Sequence, residues 1–190
     1  VLGWLINNYV FNKYKNKNDA QAYLVRPKSI DTNQILQFAE AEALARNLIN
    51  TPTSDMGPEN LASAVRDLAD KFDAHYSEIV GKNLIKQNFP LIHAVGRASS
   101  QEPRLLEVKS GNTGPKVTLV GKGVCFDTGG LNIKPGRSMG LMKKDMGGAA
   151  NVLALAYMIL STGMNVQLRV LVPAVENSIS GNSFRPGDIL

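Results

Sequence analysis

Apolar residues recur at helical spacing in three stretches of the chain. In residues 29–50 they repeat every three or four positions, which predicts a helix whose start Ser29, Asp31 or Thr32 could cap. This helix should end before Pro52, because proline disfavours helical geometry in the residue that precedes it. A second helix is predicted to begin near Gly57-Pro58. Residues 147–160 are apolar nearly all round, which is typical of a helix buried on every side.

Runs rich in β-branched and apolar residues predict strands between these helices. The predicted strands are residues 22–25, 76–80, 104–108, 116–120 and 166–175, with a short helix at 82–87 and no assignment for 91–95. The order strand, loop, helix, strand from 116 to 175 predicts a crossover between two parallel strands. The fold class is therefore α/β, with a mixed, largely parallel sheet flanked by helices.

Composition sets the size and class of the protein. With 190 residues, 44% of them hydrophobic and 19% charged, the chain can bury the core of one domain. Residues 1–30, apolar at first and then polar and basic, look like the tail of a preceding domain and a linker, while residues 31–190 look like the main domain. The single cysteine, Cys125, excludes an internal disulfide and suits a reducing compartment.

The sequence also bears on location and partners. No apolar run approaches the roughly 18–20 residues needed to span a bilayer, and the first residues lack the basic region and cleavage site of a signal peptide. We therefore expect a cytoplasmic protein without a membrane partner. The net charge of +5 is spread along the chain, so we do not expect a nucleic-acid partner either.

Charged residues and glycines concentrate in residues 120–150. This stretch contains two acids and four lysines, Asp127 and Asp145 with Lys122, Lys134, Lys143 and Lys144. It follows a predicted strand that ends at Val120, and ligands of open α/β sheets bind at such ends. Two carboxylates there can hold a divalent metal ion, and a lysine can serve as a neutral amine ligand or as a cation that stabilises an oxyanion. Alternatively, these residues are salt-bridged loop residues, and their spacing does not decide between the two.

Several catalytic templates are missing, and one matches. The sequence contains no Walker A motif, no G-x-G-x-x-G and no H-E-x-x-H, and its histidines, His75 and His93, are too far apart for a local zinc motif. The segment GRSMG around Ser138 fits the G-x-S-x-G nucleophile elbow of serine hydrolases. That elbow needs a strand directly before it, yet Lys134-Pro135 precedes it, and no histidine follows His93. We expect Ser138 to be an ordinary loop serine and keep a serine hydrolase as the weaker alternative.

The stretch VGKGVCFDTGGLNIKPGRSMGLMKKDMGGAANVL resembles the leucyl aminopeptidase family, the dinuclear-metal cytosol aminopeptidases. The segment ARNLINTPTSDMGPENLA, at residues 45–62, is similar to the family's helix that leads into the catalytic domain. The resemblance implies a zinc-peptidase-like three-layer sandwich, of which residues 31–190 would be the first part. It also implies an aminopeptidase that removes N-terminal residues such as leucine from peptide substrates.

The resemblance assigns roles to five residues. Lys122 and Asp145 would ligate one metal ion, and Asp127 would bridge both ions and lie beside the substrate. Lys134 would be the catalytic lysine that polarises the scissile carbonyl. Met139 would line the pocket for the N-terminal side chain of the substrate. The ions would be zinc or manganese, with magnesium as a further candidate.

The family pattern also includes a later segment similar to NTDAEGRL, which does not occur in this sequence. In the family that segment supplies two more carboxylate ligands and an arginine that holds bicarbonate. We therefore expect this chain to carry part of the metal site and to have little activity by itself, and a non-catalytic chain remains an alternative. The family assembles as hexamers, so a homo-oligomeric partner is implied for the full-length protein.

Overall fold

The computed structural model describes residues 1–15, 22–28 and 32–189. Within them the chain forms seven α-helices, one 3₁₀ helix at Met142–Met146 and five strands. The α-helices are α1 (Leu2–Asn7), α2 (Asn33–Asn50), α3 (Pro58–Lys71), α4 (Lys82–Lys86), α5 (Pro90–Gly96), α6 (Gly136–Met139) and α7 (Gly147–Ser161). The strands are β1 (His75–Val80), β2 (Arg104–Ser110), β3 (Lys116–Val120), β4 (Gly123–Asp127) and β5 (Gln167–Asn177).

The boundaries of the first long helices follow from local chemistry. Helix α2 begins at Asn33, after Thr32, and the predicted caps Ser29 and Asp31 lie outside the described residues. It ends at Asn50, and the next residue, Thr51, has the extended conformation that a following proline favours. Helix α3 begins with a proline directly after Gly57, as predicted, because a first-turn proline loses no intrahelical hydrogen bond.

The sheet is mixed, which confirms the α/β fold class. In the described residues β1 pairs with β2 and β2 pairs with β5, both antiparallel. Strands β3 and β4 both pair with β5 in parallel. The predicted parallel crossover therefore joins β3 to β5 through β4 and α7, and the parallel pairings occupy the β3–β4 edge of the sheet.

Hydrophobic residues from the sheet and three helices form the core on one face of the sheet. The buried residues of β5 alternate, with Leu168, Val170, Val172 and Ala174 facing this core. Helices α2, α3 and α7 contribute its other side. On the opposite face, a Cβ on Gly96 of α5 would lie 3.2 Å from Val175 Cβ, so α5 packs against that face. Helices therefore flank both faces near the end of β5, and no helix among the described residues is long and apolar enough to cross a membrane.

Three predictions about elements were wrong. Residues 22–25 form no strand, because no described strand lies beside them to share backbone hydrogen bonds. Tyr23 and Val25 are 86% and 85% exposed. The stretch after Val120 is not loop throughout, because the chain resumes as β4 after two residues. Helix α7 is not buried all round, since Asn151 is exposed and Leu155 is 45% exposed.

Candidate metal centre

The strand end that carries the predicted chemistry is Asp127, seven residues after Val120. Strand β4 ends at Asp127, which pairs in register with Asn177 at the end of β5. The register shifts between Val124 and Asp127, and the Thr53 hydroxyl donates to the Cys125 carbonyl at 2.8 Å in that irregular segment. Two neighbouring parallel strands thus end together at the site, as the ligand sites of open sheets require.

Close backbone approaches at Gly121 and Gly148 place Lys122 beside the start of α7. Lys122 lies in the break between β3 and β4, and its carbonyl accepts a hydrogen bond from the Ala149 amide at 2.9 Å. A Cβ on Gly148 would lie 2.8 Å from Lys122 N, and a Cβ on Gly121 would lie 2.7 Å from Ala149 Cα. Only glycine fits at these approaches, so the backbone itself fixes Lys122 next to the 3₁₀ helix that carries Asp145.

Lys122 and Asp145 form the first acid–lysine pair. Lys122 Nζ donates to Asp145 Oδ1 at 2.9 Å and lies 2.9 Å from Oδ2 as well. The lysine side chain is 60% exposed, whereas that of Asp145 is 18% exposed. Oδ2 is buried, and the lysine ammonium close to it forms an ion pair without the geometry of a hydrogen bond. Both oxygens of Asp145 therefore face the same ammonium group.

Asp127 and Lys134 form the second pair. Lys134 Nζ lies 3.1 Å from Asp127 Oδ2. Asp127 Oδ1 faces the protein and accepts hydrogen bonds from the Gly129 amide at 2.9 Å and from Asn177 Nδ2 at 2.8 Å. The two oxygens therefore have separate surroundings. Asn177 was not predicted from sequence, and the available signal was its place just after predicted strand 166–175.

The pKa of Asp127 lies below its ordinary value. Burial by itself raises the pKa of this carboxyl, but the hydrogen bonds from Gly129, Lys134 and Asn177 and the charge of Lys134 together outweigh that effect. Asp127 is consequently an anion at neutral pH, which is the form that binds a cation.

A tight turn holds Lys134 over the end of β4. The Lys134 amide donates to the Thr128 carbonyl at 2.9 Å, which closes the loop that begins after Asp127. Gly129 and Gly130 have φ of +87° and +65°, a region that favours glycine. A Cβ on Gly129 would lie 2.3 Å from the Asn132 carbonyl oxygen. These two glycines therefore permit the tight backbone that follows Asp127.

Ser138 does not lie on a nucleophile elbow. It is inside the four-residue helix α6, and loop residues ending in Pro135 precede that helix where the elbow requires a strand. Met139, in the same helix, is half-buried, and its predicted contact with substrate stays a prediction. Lys143 donates to the Asn50 carbonyl at 2.7 Å, so it binds the end of α2 and does not join the acid–lysine pairs.

The residues present fit part of a divalent metal site. Carboxylate oxygens are the preferred ligands of such ions, and the carboxylates of Asp145 and Asp127 each already hold a positive charge, that of a lysine ammonium. Within the described residues no group of three or more His, Cys, Asp and Glu side chains is close enough to hold a metal. Asp127, Asp145 and Lys122 would therefore supply some ligands of a complete shell, and other ligands would come from elsewhere.

Known proteins resemble this chain over most of its length. Residues 43–190 match the model of the cytosol aminopeptidase family, catalytic domain. A probable cytosol aminopeptidase of Aquifex aeolicus is 35% identical over 99% of this chain and 40% of its own length. The crystal structure of the cytosol aminopeptidase from Coxiella burnetii is 48% identical, with a TM-score of 0.90 over 98% of this chain and 41% of that one.

A further solved structure, the bottromycin maturation enzyme BotP in complex with Mn, is 33% identical, with a TM-score of 0.82 over 98% of this chain and 41% of that one. The chain thus spans about two-fifths of the length of these relatives. The family model covers most of the chain, and the fold and the sequence identities agree with it. The chain belongs to the cytosol aminopeptidase family.

Proposed function

We propose that this chain supplies part of the active site of a metal-dependent aminopeptidase that releases N-terminal residues such as leucine from peptides. The observation that carries the proposal is the pair of acid–lysine contacts, Lys122 with Asp145 and Lys134 with Asp127, at the end of β4 in a member of a peptidase family. The match to a peptidase family with a Mn-bound member supports cation binding over the alternative that these residues are only salt bridges.

Three residues of this chain would hold the metal ions. Asp145 and Lys122 would bind one ion, the lysine after losing its proton, and Asp127 would bridge two ions. Divalent ions in such a site supply Lewis acidity and bring water towards its ionised form at neutral pH. Manganese is supported by the Mn complex of BotP, and zinc and magnesium are the other candidates.

Lys134 would act as the electrophile. Its side chain is partly exposed beside Asp127 Oδ2, and the turn after β4 fixes its backbone. A protonated lysine at this place can stabilise the negative charge that develops on the carbonyl oxygen of the scissile bond. Met139, half-buried in α6, would contact the side chain of the N-terminal residue.

The remaining proposals concern the full-length protein. The family resemblance supports a cytoplasmic hexamer in which bicarbonate assists proton transfer, and the names of the relatives agree with a cytosolic location. Because the described residues supply an incomplete ligand set, we expect the isolated chain to bind a cation and to turn over little substrate.

The test is made in a polypeptide of the relatives' length that contains this chain. We expect Mn²⁺-dependent release of leucine from leucine amide, followed by absorbance or chromatography. Lys134→Ala should abolish turnover and leave the metal content, measured by atomic emission, near that of the wild type. A Lys134→Ala variant that keeps most of its rate would disprove the role of Lys134, and a polypeptide without metal-dependent hydrolysis would disprove the proposed function.

A further inference from the structure

Asn177 joins the ends of the two parallel strands at the site. Its main-chain carbonyl accepts hydrogen bonds from the Thr128 amide at 3.0 Å and from the Thr128 hydroxyl at 2.8 Å. Its side-chain amide donates to Asp127 Oδ1 at 2.8 Å. The backbone of Asn177 thus holds the turn after β4, and its side chain holds the carboxylate.

The side-chain contact separates the two oxygens of Asp127. Oδ1 receives two N–H donors, from Gly129 and Asn177, and Oδ2 is left to face Lys134 Nζ at 3.1 Å. A carboxylate can rotate about its last bond, so without a fixed donor on Oδ1 either oxygen could take either place. Asn177 is the side-chain donor on Oδ1, whereas the Gly129 amide belongs to the turn that directly follows Asp127.

Buried contacts anchor the end of β5 directly before Asn177. Glu176, directly before Asn177, is 2% exposed and binds the Arg185 guanidinium through both carboxylate oxygens, at 2.5 and 2.9 Å. Ser99 donates to the same carboxylate at 2.8 Å. Arg185 also binds Asp188, which accepts a hydrogen bond from the Ser54 amide at 2.9 Å. The residue directly before Asn177 is therefore held by Arg185 and Ser99, and Arg185 is held in turn by Asp188.

We propose that Asn177 is a positioning residue, whose side-chain amide fixes one oxygen of Asp127 so that the other faces Lys134 and an incoming divalent cation. The inference rests on the proposed function, because it assumes that Asp127 binds metal. Groups that orient metal ligands typically change metal affinity by 10- to 100-fold when they are removed.

The experiment measures Mn²⁺ binding to the 190-residue chain by titration calorimetry. Asn177→Ala should weaken Mn²⁺ binding by about 10- to 100-fold. Asn177→Leu, which keeps the number and branching of the side-chain heavy atoms and removes the donor, should weaken it as much. The thermal midpoints of the metal-free variants are measured in parallel, and a loss of affinity without a shift beyond about 4 °C separates positioning from loss of fold.

Thr128→Val is the matched control, because it removes the hydroxyl that donates to the Asn177 carbonyl and accepts from the Gly130 amide, and leaves the Asn177–Asp127 contact in place. We expect its Mn²⁺ affinity to stay within about twofold of the wild type, which is less than the orienting effect. A Thr128→Val variant as weak as Asn177→Ala would overturn the inference, since the effect would then be structural. Unchanged affinity in both Asn177 variants would overturn it as well.

Asp127→Asn separates this inference from the proposed function. If the wild type binds Mn²⁺, Asp127→Asn does not and Asn177→Ala binds like the wild type, the inference fails and the proposed function stands. If the wild type binds no Mn²⁺, both are overturned for this chain.

Discussion

Two neighbouring glycines open α7 and have different surroundings. A Cβ on Gly148 would lie 2.8 Å from Lys122 N, whereas the nearest atom to a Cβ on Gly147 would be Ile49 Cδ1 at 3.9 Å. Helix propensity alone favours alanine over glycine at both positions. The close approach of Gly148 to the Lys122 backbone opposes that preference, because a backbone atom cannot move aside as a flexible side chain can.

We therefore predict opposite effects of the two substitutions on the free energy of unfolding. Gly148→Ala should destabilise the chain by about 1–3 kcal/mol, the usual cost of overpacking. Gly147→Ala should be neutral or stabilise by up to about 1 kcal/mol. Urea denaturation followed by circular dichroism measures both. If Gly148→Ala were as stable as Gly147→Ala, the contact between α7 and Lys122 would be looser than described.

Glu107 makes the stability of the chain depend on pH. Burial raises the pKa of this carboxyl, but hydrogen bonds and charges from Lys109 and Arg169 outweigh it, and the pKa lies below the ordinary 4.5. The folded state therefore releases this proton more readily than the unfolded state. Its contribution is complete above the unfolded pKa and is lost as the pH falls through the lower, folded value.

We expect the urea midpoint of the wild type to fall as the pH is lowered from 6 to about 3, where carboxylates that stabilise the native state become protonated. Glu107→Gln cannot lose a charge at this position, so its midpoint should fall less steeply over the same range. Equal slopes for the two proteins would show that Arg169 and Lys109 do not stabilise the ionised form of Glu107.

At the scale of elements, the end of β5 depends on a buried ion pair. Glu176 is 2% exposed, and Arg185 neutralises it through two hydrogen bonds. Arg185→Met should cost about 3–5 kcal/mol in unfolding free energy, because it leaves a buried carboxylate without its partner. Arg169→Met breaks the more exposed pair with Glu107 and should cost less than about 1 kcal/mol.

Chemical denaturation of these two arginine variants measures the difference directly. The two substitutions are matched in chemistry. Arg185→Met leaves two buried carboxylates, Glu176 and Asp188, without their arginine, whereas Glu107 is less buried and keeps Lys109 as a partner. A similar loss in both would mean that water reaches Glu176 once Arg185 is removed.

Long elements with a clear period could be predicted from the sequence. Helices α2, α3 and α7 and strands β2, β3 and β5 lie within a few residues of their predicted positions, because their apolar residues form one continuous core. Strand β4 could not be predicted, since its five residues begin with a glycine and lack alternation. The segment 22–25 shows the reverse case, in which strand-like composition has no neighbouring strand to pair with.

The site could be predicted in part. Residue types and family pattern identified the four charged residues, and the structure brings them together as two pairs. Which lysine pairs with which acid was not predictable, because Lys122 reaches Asp145 only where the backbone approaches at Gly121 and Gly148 bring it beside α7. Asn177 lies fifty positions from Asp127, and its role depends on the register between β4 and β5, which no local pattern encodes.

At the scale of the whole molecule, the chain covers about two-fifths of the length of its relatives. The described residues offer an incomplete set of metal ligands, so we expect the chain to bind a cation without efficient catalysis. We predict that the 190-residue chain binds Mn²⁺ in calorimetry but releases little leucine from leucine amide at the same metal concentration. Robust metal-dependent release by this chain would show that its own residues, with water, complete the site.

The segment between Lys134 and the 3₁₀ helix contributes no residue to either acid–lysine pair. Asp127 and Lys134 are tied to the strand ends, and Asp145 is tied to the start of α7, so residues 135–141 connect fixed points without setting them. Most of these residues are exposed. On the proposed role of Met139, substitutions in this segment should change the preferred N-terminal residue of the substrate and leave both acid–lysine pairs in place.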